Sequence, residues 1–207
     1  MRNEILAAWR WNGSVSEPVP YGEGHINQTY ALTVTSAQGA KRSILQKINP
    51  DTFKDPAGLM ENICGVPDFL RKKAKQRGAD PPRATLHVVP TAAEKPYYQA
   101  ADGSCWRVYD FVENTVCLQQ VQSAEDFYQS AVAFGNFQHQ LAAYPAHTLH
   151  ETIPHFHDTP KRFADFQRAV AEDRMGRAAQ VRREIEFVCA READYHVMVD
   201  LLAAGKL

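Results

Sequence analysis

The chain has 207 residues, and 44% of them are hydrophobic, which is enough apolar material for a globular protein with a substantial core. Its 23 lysines and arginines nearly balance its 24 aspartates and glutamates, which speaks against nucleic acid or an acidic membrane surface as a partner. The four cysteines are scattered without a CxxC pair, and the first residues resemble neither a signal peptide nor a membrane span. We therefore expect a cytoplasmic protein with reduced thiols that acts on a small molecule.

The first half of the sequence alternates short β-rich runs with turn residues. Strands are predicted at Thr29–Thr35, Ser43–Ile48, Thr85–Val89 and Trp106–Val112. Apolar residues recur at helical spacing over Pro56–Arg77, and a basic last turn precedes Gly78, which predicts one helix between the second and third strands. This pattern indicates a small antiparallel sheet that one helix interrupts.

The second half is helical in pattern and almost free of β-branched runs. Helices are predicted over Ala124–Leu141, from Pro160 to about Gly176, and from Arg177 to about Ala204. Phe127, Phe134 and Phe137 form a stripe on the first of them, which is typical of core packing. The predicted fold class is α+β, with a sheet part at residues 1–113 and a helical part at residues 114–207.

A glycine-rich turn runs from Tyr21 to Asn27, directly before the first long strand. Gly22 and Gly24 would let the backbone approach a ligand closely and point its N–H groups at phosphate oxygens. An ordinary hairpin turn fits the same two glycines, so the turn needs support from elsewhere in the chain.

That support comes from Lys47 in the second strand and Glu61 on the helix that follows. Strand alternation places Lys47 on the face of Leu45, and a lysine held there for nucleotide phosphates needs a carboxylate such as Glu61. Taken singly, Lys47 reads as a strand-end lysine that reaches solvent and Glu61 as a surface charge. Together, glycine turn, strand lysine and helix glutamate follow the order of a protein-kinase nucleotide lobe.

The last strand ends in Tyr109, Asp110, Phe111 and Val112 and leads into the helical half. A hinge between two lobes would lie here, with backbone groups around Asp110 to Val112 available to an adenine edge. A plain strand-to-loop exit is the alternative.

At these positions the sequence resembles the aminoglycoside phosphotransferase-like family of small-molecule kinases, and within it the N-acetylhexosamine 1-kinase branch. The resemblance is carried by residues 24–30, 44–49, 58–63, 106–109 and 151–159. It implies a protein-kinase-like fold and a transfer, dependent on ATP and Mg²⁺, of the γ-phosphoryl group to a small-molecule hydroxyl. In the nearest branch the acceptor is the anomeric hydroxyl of an N-acetylhexosamine.

The resemblance also implies roles for individual residues. Residues 22–27, with His25 and Asn27 among them, would cover the phosphates, Lys47 would contact them and Glu61 would hold Lys47. The catalytic loop and the magnesium-binding Asp motif of the family are not found in the sequence, so no catalytic residue or metal ligand is predicted. We expect an N-terminal fragment that is inactive alone.

Three alternatives stay open at this point. The first is a catalytically dead nucleotide-binding or regulatory module. The second is a kinase for aminoglycosides, choline-like compounds or amino alcohols. The third is a structural interaction domain. The last of these requires the glycine turn, Lys47 and Glu61 to be coincidental. A metal site at His155, His157 and Asp158 is not favoured, since no third fixed ligand or HExxH spacing accompanies them, and an ordered loop is predicted there.

Overall fold

The computed structural model describes residues 2–78 and 85–206. The chain forms two compact units, Met1–Thr152 and Ile153–Leu207. The division into lobes at residue 113 stays a prediction. No helix within the described residues is both long enough and apolar enough to cross a bilayer.

The first unit is built around one antiparallel sheet, which confirms the α+β class in its coarse form. Its strands are β1 Ser14–Val15, β2 Val19–Pro20, β3 Gln28–Ser36, β4 Gly39–Lys47, β5 Val88–Val89, β6 Tyr98–Gln99 and β7 Cys105–Asp110. The order is β1-β3-β4-β7-β5, with β2 beside β3 and β6 beside β7. The predicted third strand over Thr85–Val89 shrinks to β5, because only Val88 and Val89 pair with β7.

Both faces of this sheet are covered. Opposed pairs such as Tyr30 and Leu45 share one face, where helix α1 (Arg2–Ala7) packs its buried Ile5. We call this the α1 face. The opposite side, the α2 face, presents Ile48 to helix α2 (Pro56–Gln76) and its buried residue Met60. Side chains of a strand point alternately to the two faces, so each strand residue belongs to one of them.

Helix α2 begins and ends where its sequence predicts. The Asp55 carboxylate accepts a hydrogen bond from the Gly58 N–H at 3.0 Å, and Pro56 fits the first turn because its missing N–H is not needed there. Lys73 and Lys75 lie in the last turn, where the helix dipole favours cations. Gly78 then takes the left-handed φ of +69°.

Helix α3 (Ala124–Leu141) matches its predicted bounds, with the Ser123 hydroxyl accepting from the Asp126 N–H. Its aromatic stripe does not form a core, which corrects the prediction. Phe127 and Phe134 are 67% and 68% exposed. Periodicity identifies an apolar helix face but does not identify what covers it.

The second unit contains α4 (Thr159–Glu172), α5 (Arg182–Cys189) and α6 (Val197–Ala203). The continuous helix predicted from Arg177 to about Ala204 is wrong, since 3₁₀ turns at Ala178–Val181 and Glu192–His196 interrupt it. Tertiary contacts explain the second break. The ring of Tyr195 packs 5.1 Å from that of Phe163 on α4, and its hydroxyl donates to the Val188 carbonyl at 2.8 Å.

Candidate functional site

The glycine-rich turn forms an open loop between β2 and β3. Gly22 has a φ of +77°, a conformation that side chains rarely adopt. A Cβ added at Gly22 or at Gly24 would meet no atom within 4 Å, so the space beside both glycines is open. His25 is exposed in the same loop. The loop therefore has room for a ligand against its backbone.

Both ends of the loop are fastened to the sheet. The Tyr21 N–H donates to the Thr29 carbonyl at 3.0 Å. The backbone N–H of Asn49 donates to Oδ1 of Asn27 at 2.9 Å. The side-chain amide of Asn49 donates to the Ile26 carbonyl at 2.9 Å. Asn27 thus holds the loop against the chain that follows β4.

Lys47 lies on the α1 face with Leu45, as strand alternation predicts. Its ammonium group stands 5.8 Å from the centroid of the Trp106 ring. Glu61 belongs to α2, which packs on the opposite side of the sheet. The structure therefore does not bring Lys47 and Glu61 together, and the predicted ion pair between them is corrected.

Glu61 has a different partner. Its Oε2 atom lies 2.6 Å from His150 Nε2. The neighbouring Asn62 side chain donates to the His150 carbonyl at 2.8 Å and accepts the His150 N–H at 2.9 Å. These contacts attach the segment after α3 to α2, and Glu61 takes part in a structural clamp.

The α2 face carries a polar network that the sequence prediction missed. Gln46, 9% exposed, donates from Nε2 to the Thr29 hydroxyl at 2.9 Å. Its Oε1 atom accepts from Arg107 Nε at 3.0 Å and from Arg107 Nη2 at 2.5 Å. The remaining terminal nitrogen of Arg107 faces the Met60 sulfur at 3.8 Å. The position of Arg107 between apolar Trp106 and Val108 on a strand is the sequence signal that could have identified it.

The electrostatics of Arg107 distinguish it from the surface arginines. Burial lowers the pKa of its guanidinium, and it also raises the pKa of the neighbouring Tyr109 hydroxyl and Cys64 thiol. No carboxylate of residues 2–78 or 85–206 lies within 4.0 Å of Arg107. A half-buried cation whose neighbours are neutral attracts an anion strongly, because little water competes with it.

The predicted hinge residues Tyr109, Asp110 and Phe111 have different surroundings. Tyr109 is half-buried on the α2 face, while Asp110 pairs with Lys41 at 2.8 Å and with His87 at 2.9 Å. Phe111 meets the edge of Tyr21, with ring centroids 5.3 Å apart. Arg42 covers the same ring at 3.7 Å and pairs with Glu113. Tyr21 at one end of the glycine loop thus touches the start of the hinge.

Few backbone groups of the hinge are free for a ligand. The Asp110 N–H donates to the His87 carbonyl at 3.0 Å, and the Phe111 N–H donates to the Arg42 carbonyl at 3.2 Å. The Val112 carbonyl accepts from the Thr115 hydroxyl at 3.2 Å. The N–H of Val112 has no hydrogen-bond partner in the part of the chain that the structure describes, and Val112 is 40% exposed. An adenine edge has this donor available.

The segment with His155, His157 and Asp158 leads into helix α4, and Asp158 caps the start of that helix. Asp158 accepts the Lys161 N–H at 3.0 Å, and this bond together with His155 lowers the pKa of its carboxyl group. Within the described ranges no group of three or more His, Cys, Asp or Glu side chains is arranged to hold a metal ion. No protein-family model matches this chain.

Proposed function

We propose that this chain binds ATP on the α2 face of its sheet, beneath the Gly22–Asn27 loop, as the nucleotide-binding part of a small-molecule kinase. The order of its elements supports the proposal. A glycine-rich loop, two paired strands and then a helix packed on the sheet follow one another, and after the short strands β5 and β6 the chain enters β7, which leads into the hinge.

Arg107 carries the proposal. Its guanidinium is half-buried and held by Gln46, and no carboxylate neutralises it among the residues described. A planar guanidinium fits phosphate oxygens with two parallel hydrogen bonds and stays charged when partly buried. We assign to Arg107 the phosphate contact that the sequence suggested for Lys47.

The adenine is assigned to the hinge. The N–H of Val112, which has no partner among residues 2–78 and 85–206, supplies a hydrogen-bond donor, and the half-buried ring of Tyr109 would supply an apolar wall. In this arrangement the base lies by the hinge and the phosphates extend along β7 toward Arg107. Asp110 is given no contact with the base, because Lys41 and His87 occupy its carboxylate and its N–H donates to the His87 carbonyl.

The acceptor rests on the sequence resemblance alone. We propose a small-molecule hydroxyl, and in first place the anomeric hydroxyl of an N-acetylhexosamine. ATP supplies the phosphoryl group in this reaction, and a magnesium ion would neutralise its charge. We assign neither the metal ligands nor the catalytic base to residues of this chain.

Calorimetric titration with ATP tests the proposal. Loss of a charge-assisted hydrogen bond is worth about 1.5–3 kcal/mol, so Arg107→Met is expected to weaken ATP binding by roughly 10- to 150-fold. Gln46→Glu places a carboxylate against the guanidinium and is expected to weaken ATP similarly while keeping the fold. Arg182→Met is the control, because the Arg182 side chain is 81% exposed.

Thermal melting shows whether each variant is folded before its affinity is measured. The proposal is wrong if the wild-type chain shows no saturable ATP binding at about millimolar concentration. It is also wrong if folded Gln46→Glu protein binds ATP as tightly as wild type. A phosphoryl-transfer assay on N-acetylhexosamines, run in parallel, tests the acceptor separately from nucleotide binding.

A further inference from the structure

A cavity of about 110 Å³ opens on the α1 face, on the other side of the sheet from Gln46 and Arg107. Its walls are mostly apolar and are formed by Ile5, Pro18, Leu45 and Trp106. All four of these residues are buried. The cavity is therefore a defined hollow rather than an irregularity of the surface.

Three polar side chains face this apolar hollow. Lys47 is half-buried there, and no carboxylate within 4.0 Å neutralises its ammonium group among residues 2–78 and 85–206. The hydroxyl of half-buried Tyr30 and the amide of Gln28 at the rim also lack hydrogen-bond partners in these ranges. A pocket with apolar walls and a few converging polar groups is the usual form of a small-ligand site.

Nearby acidic groups do not satisfy Lys47. The charge of Asp102 interacts with Lys47, but the two groups form no ion pair within 4.0 Å. Asp102 accepts the Ser104 N–H at 2.9 Å and the Ser104 hydroxyl at 2.6 Å. The ammonium group is left with the face of Trp106 as its neighbour, at 5.8 Å from the ring centroid.

The volume and the charge limit the ligand. An apolar cavity of about 150 Å³ in another protein accommodates benzene, so this smaller hollow of about 110 Å³, which is open to solvent, encloses at most a short chain or part of one small ring. A single ammonium group matches a single negative charge, whereas a phosphate dianion needs more donors than this pocket offers. The apolar walls favour a ligand whose remaining atoms are hydrocarbon.

We propose that this cavity is a binding site for a small monocarboxylate with an apolar body, whose carboxylate pairs with Lys47 and whose body lies against Trp106 and Ile5. The Tyr30 side chain lines the same cavity, and its hydroxyl would donate a second hydrogen bond to the carboxylate. This site is independent of the proposed nucleotide site, because side chains of the two sites leave opposite faces of β4.

Benzoate is the probe, and the indole N–H resonance of Trp106 is the reporter in an NMR titration. Saturable shifts are expected for benzoate, whereas benzyl alcohol, which has the ring without the charge, is expected to bind at least 10-fold more weakly. Lys47→Met is expected to weaken benzoate by at least 10-fold. Lys54→Met is the matched control, since the Lys54 side chain is 71% exposed.

Several results would overturn the proposal. These are no saturable benzoate shift up to about 10 mM, equal binding of benzoate and benzyl alcohol, or undiminished benzoate binding by folded Lys47→Met protein. Lys47→Gln replaces Lys47→Met if the latter melts early.

Competition between ATP and benzoate would contradict two separate sites. We expect Lys47→Met to lose benzoate binding while its ATP affinity stays unchanged. This result would test the benzoate site separately from the proposed nucleotide site.

Discussion

The Nε2 atom of His150 lies 2.6 Å from Oε2 of Glu61, although 89 positions separate the two residues. The contact docks the segment after α3 onto the first half of α2. Asn62 completes the attachment with two hydrogen bonds to the His150 backbone. Neither residue of the Glu61–His150 pair touches the face where Lys47 lies, so their contribution is to the packing of the first unit.

Asn62→Ala is expected to destabilise the protein more than Glu61→Gln. Asn62 satisfies two backbone groups of His150, each worth about 0.5–1.5 kcal/mol, which gives a loss of roughly 1–3 kcal/mol. The Glu61 and His150 side chains are 68% and 42% exposed, and an exposed pair contributes about 0–1 kcal/mol. Urea unfolding of both variants measures the difference.

The same Glu61 variant distinguishes the two roles considered for this residue. We expect Glu61→Gln to leave ATP affinity unchanged, because Glu61 contacts His150 and not Lys47. A loss of ATP affinity of 10-fold or more in folded Glu61→Gln protein would support the lysine–glutamate pair that the sequence suggested, and it would contradict the clamp.

Gly58→Ala and Gly135→Ala are expected to change stability in opposite directions. Both glycines lie inside helices, where alanine is favoured by about 1 kcal/mol. A Cβ at Gly58 would lie 2.4 Å from the Asp55 carboxylate and 2.8 Å from the His150 ring, and these groups hold the cap and the clamp. A Cβ at Gly135 meets nothing within 4 Å.

Thermal melting of the two variants tests this pair. Gly135→Ala should raise the melting temperature by a few degrees, and Gly58→Ala should lower it. An equal increase in both would mean that the His150 segment does not rest on Gly58, and the clamp would then be wrong.

Helix α2, strand β3 and the second half of β4 were predicted from the sequence because their signals are local, whereas β4 begins at Gly39 and not at the predicted Ser43. Asp55 and Pro56 specify the start of α2, and the alternation from Tyr30 to Val34 specifies β3. The short strands β1, β2 and β6 were not predicted. Each has two residues, and each exists because a neighbouring strand supplies hydrogen bonds.

The face of the sheet on which Lys47 lies relative to α2 was harder to predict than the strand itself. Alternation correctly placed Lys47 with Leu45, yet Ile44 and Leu45 are both buried, at 4% and 3% exposed. When both faces of a strand are apolar, the sequence does not indicate which of them a particular helix, here α2, covers. That choice separates Lys47 from Glu61 and puts Arg107 on the α2 face, where it has no carboxylate partner among the described residues.

Asp173→Ala is expected to destabilise the second unit, whereas Asp173→Asn is expected to be nearly neutral. Asp173 ends α4 with a left-handed φ of +33°, and its Oδ1 atom accepts the Arg177 N–H at 2.7 Å and the Ala178 N–H at 3.1 Å. Asparagine tolerates this backbone and keeps an oxygen acceptor, but alanine does neither. We expect a loss of about 1–3 kcal/mol for alanine in urea unfolding, and equal losses in both variants would contradict the cap.

The four thiols are expected to react in two classes. Cys117 and Cys189 are exposed, whereas burial raises the pKa of the Cys64 and Cys105 thiols above the ordinary value. Only the thiolate attacks a disulfide reagent, so at neutral pH the first pair should react rapidly and the second slowly. Ellman's reagent should show both phases in the native protein and one rapid phase in denaturant.

The raised pKa of the buried thiols also predicts how stability depends on pH. Between the ordinary thiol pKa and the raised folded value, the folded state binds more protons than the unfolded chain, so the free energy of unfolding falls as the pH rises through this window. Cys64→Ser should reduce this alkaline loss, and Cys117→Ser, at an exposed position, should leave it unchanged. Urea unfolding of the three proteins across the alkaline range measures the slope. Equal slopes would show that Cys64 does not contribute, and the assignment of its raised pKa to burial between α2 and the sheet would then be wrong.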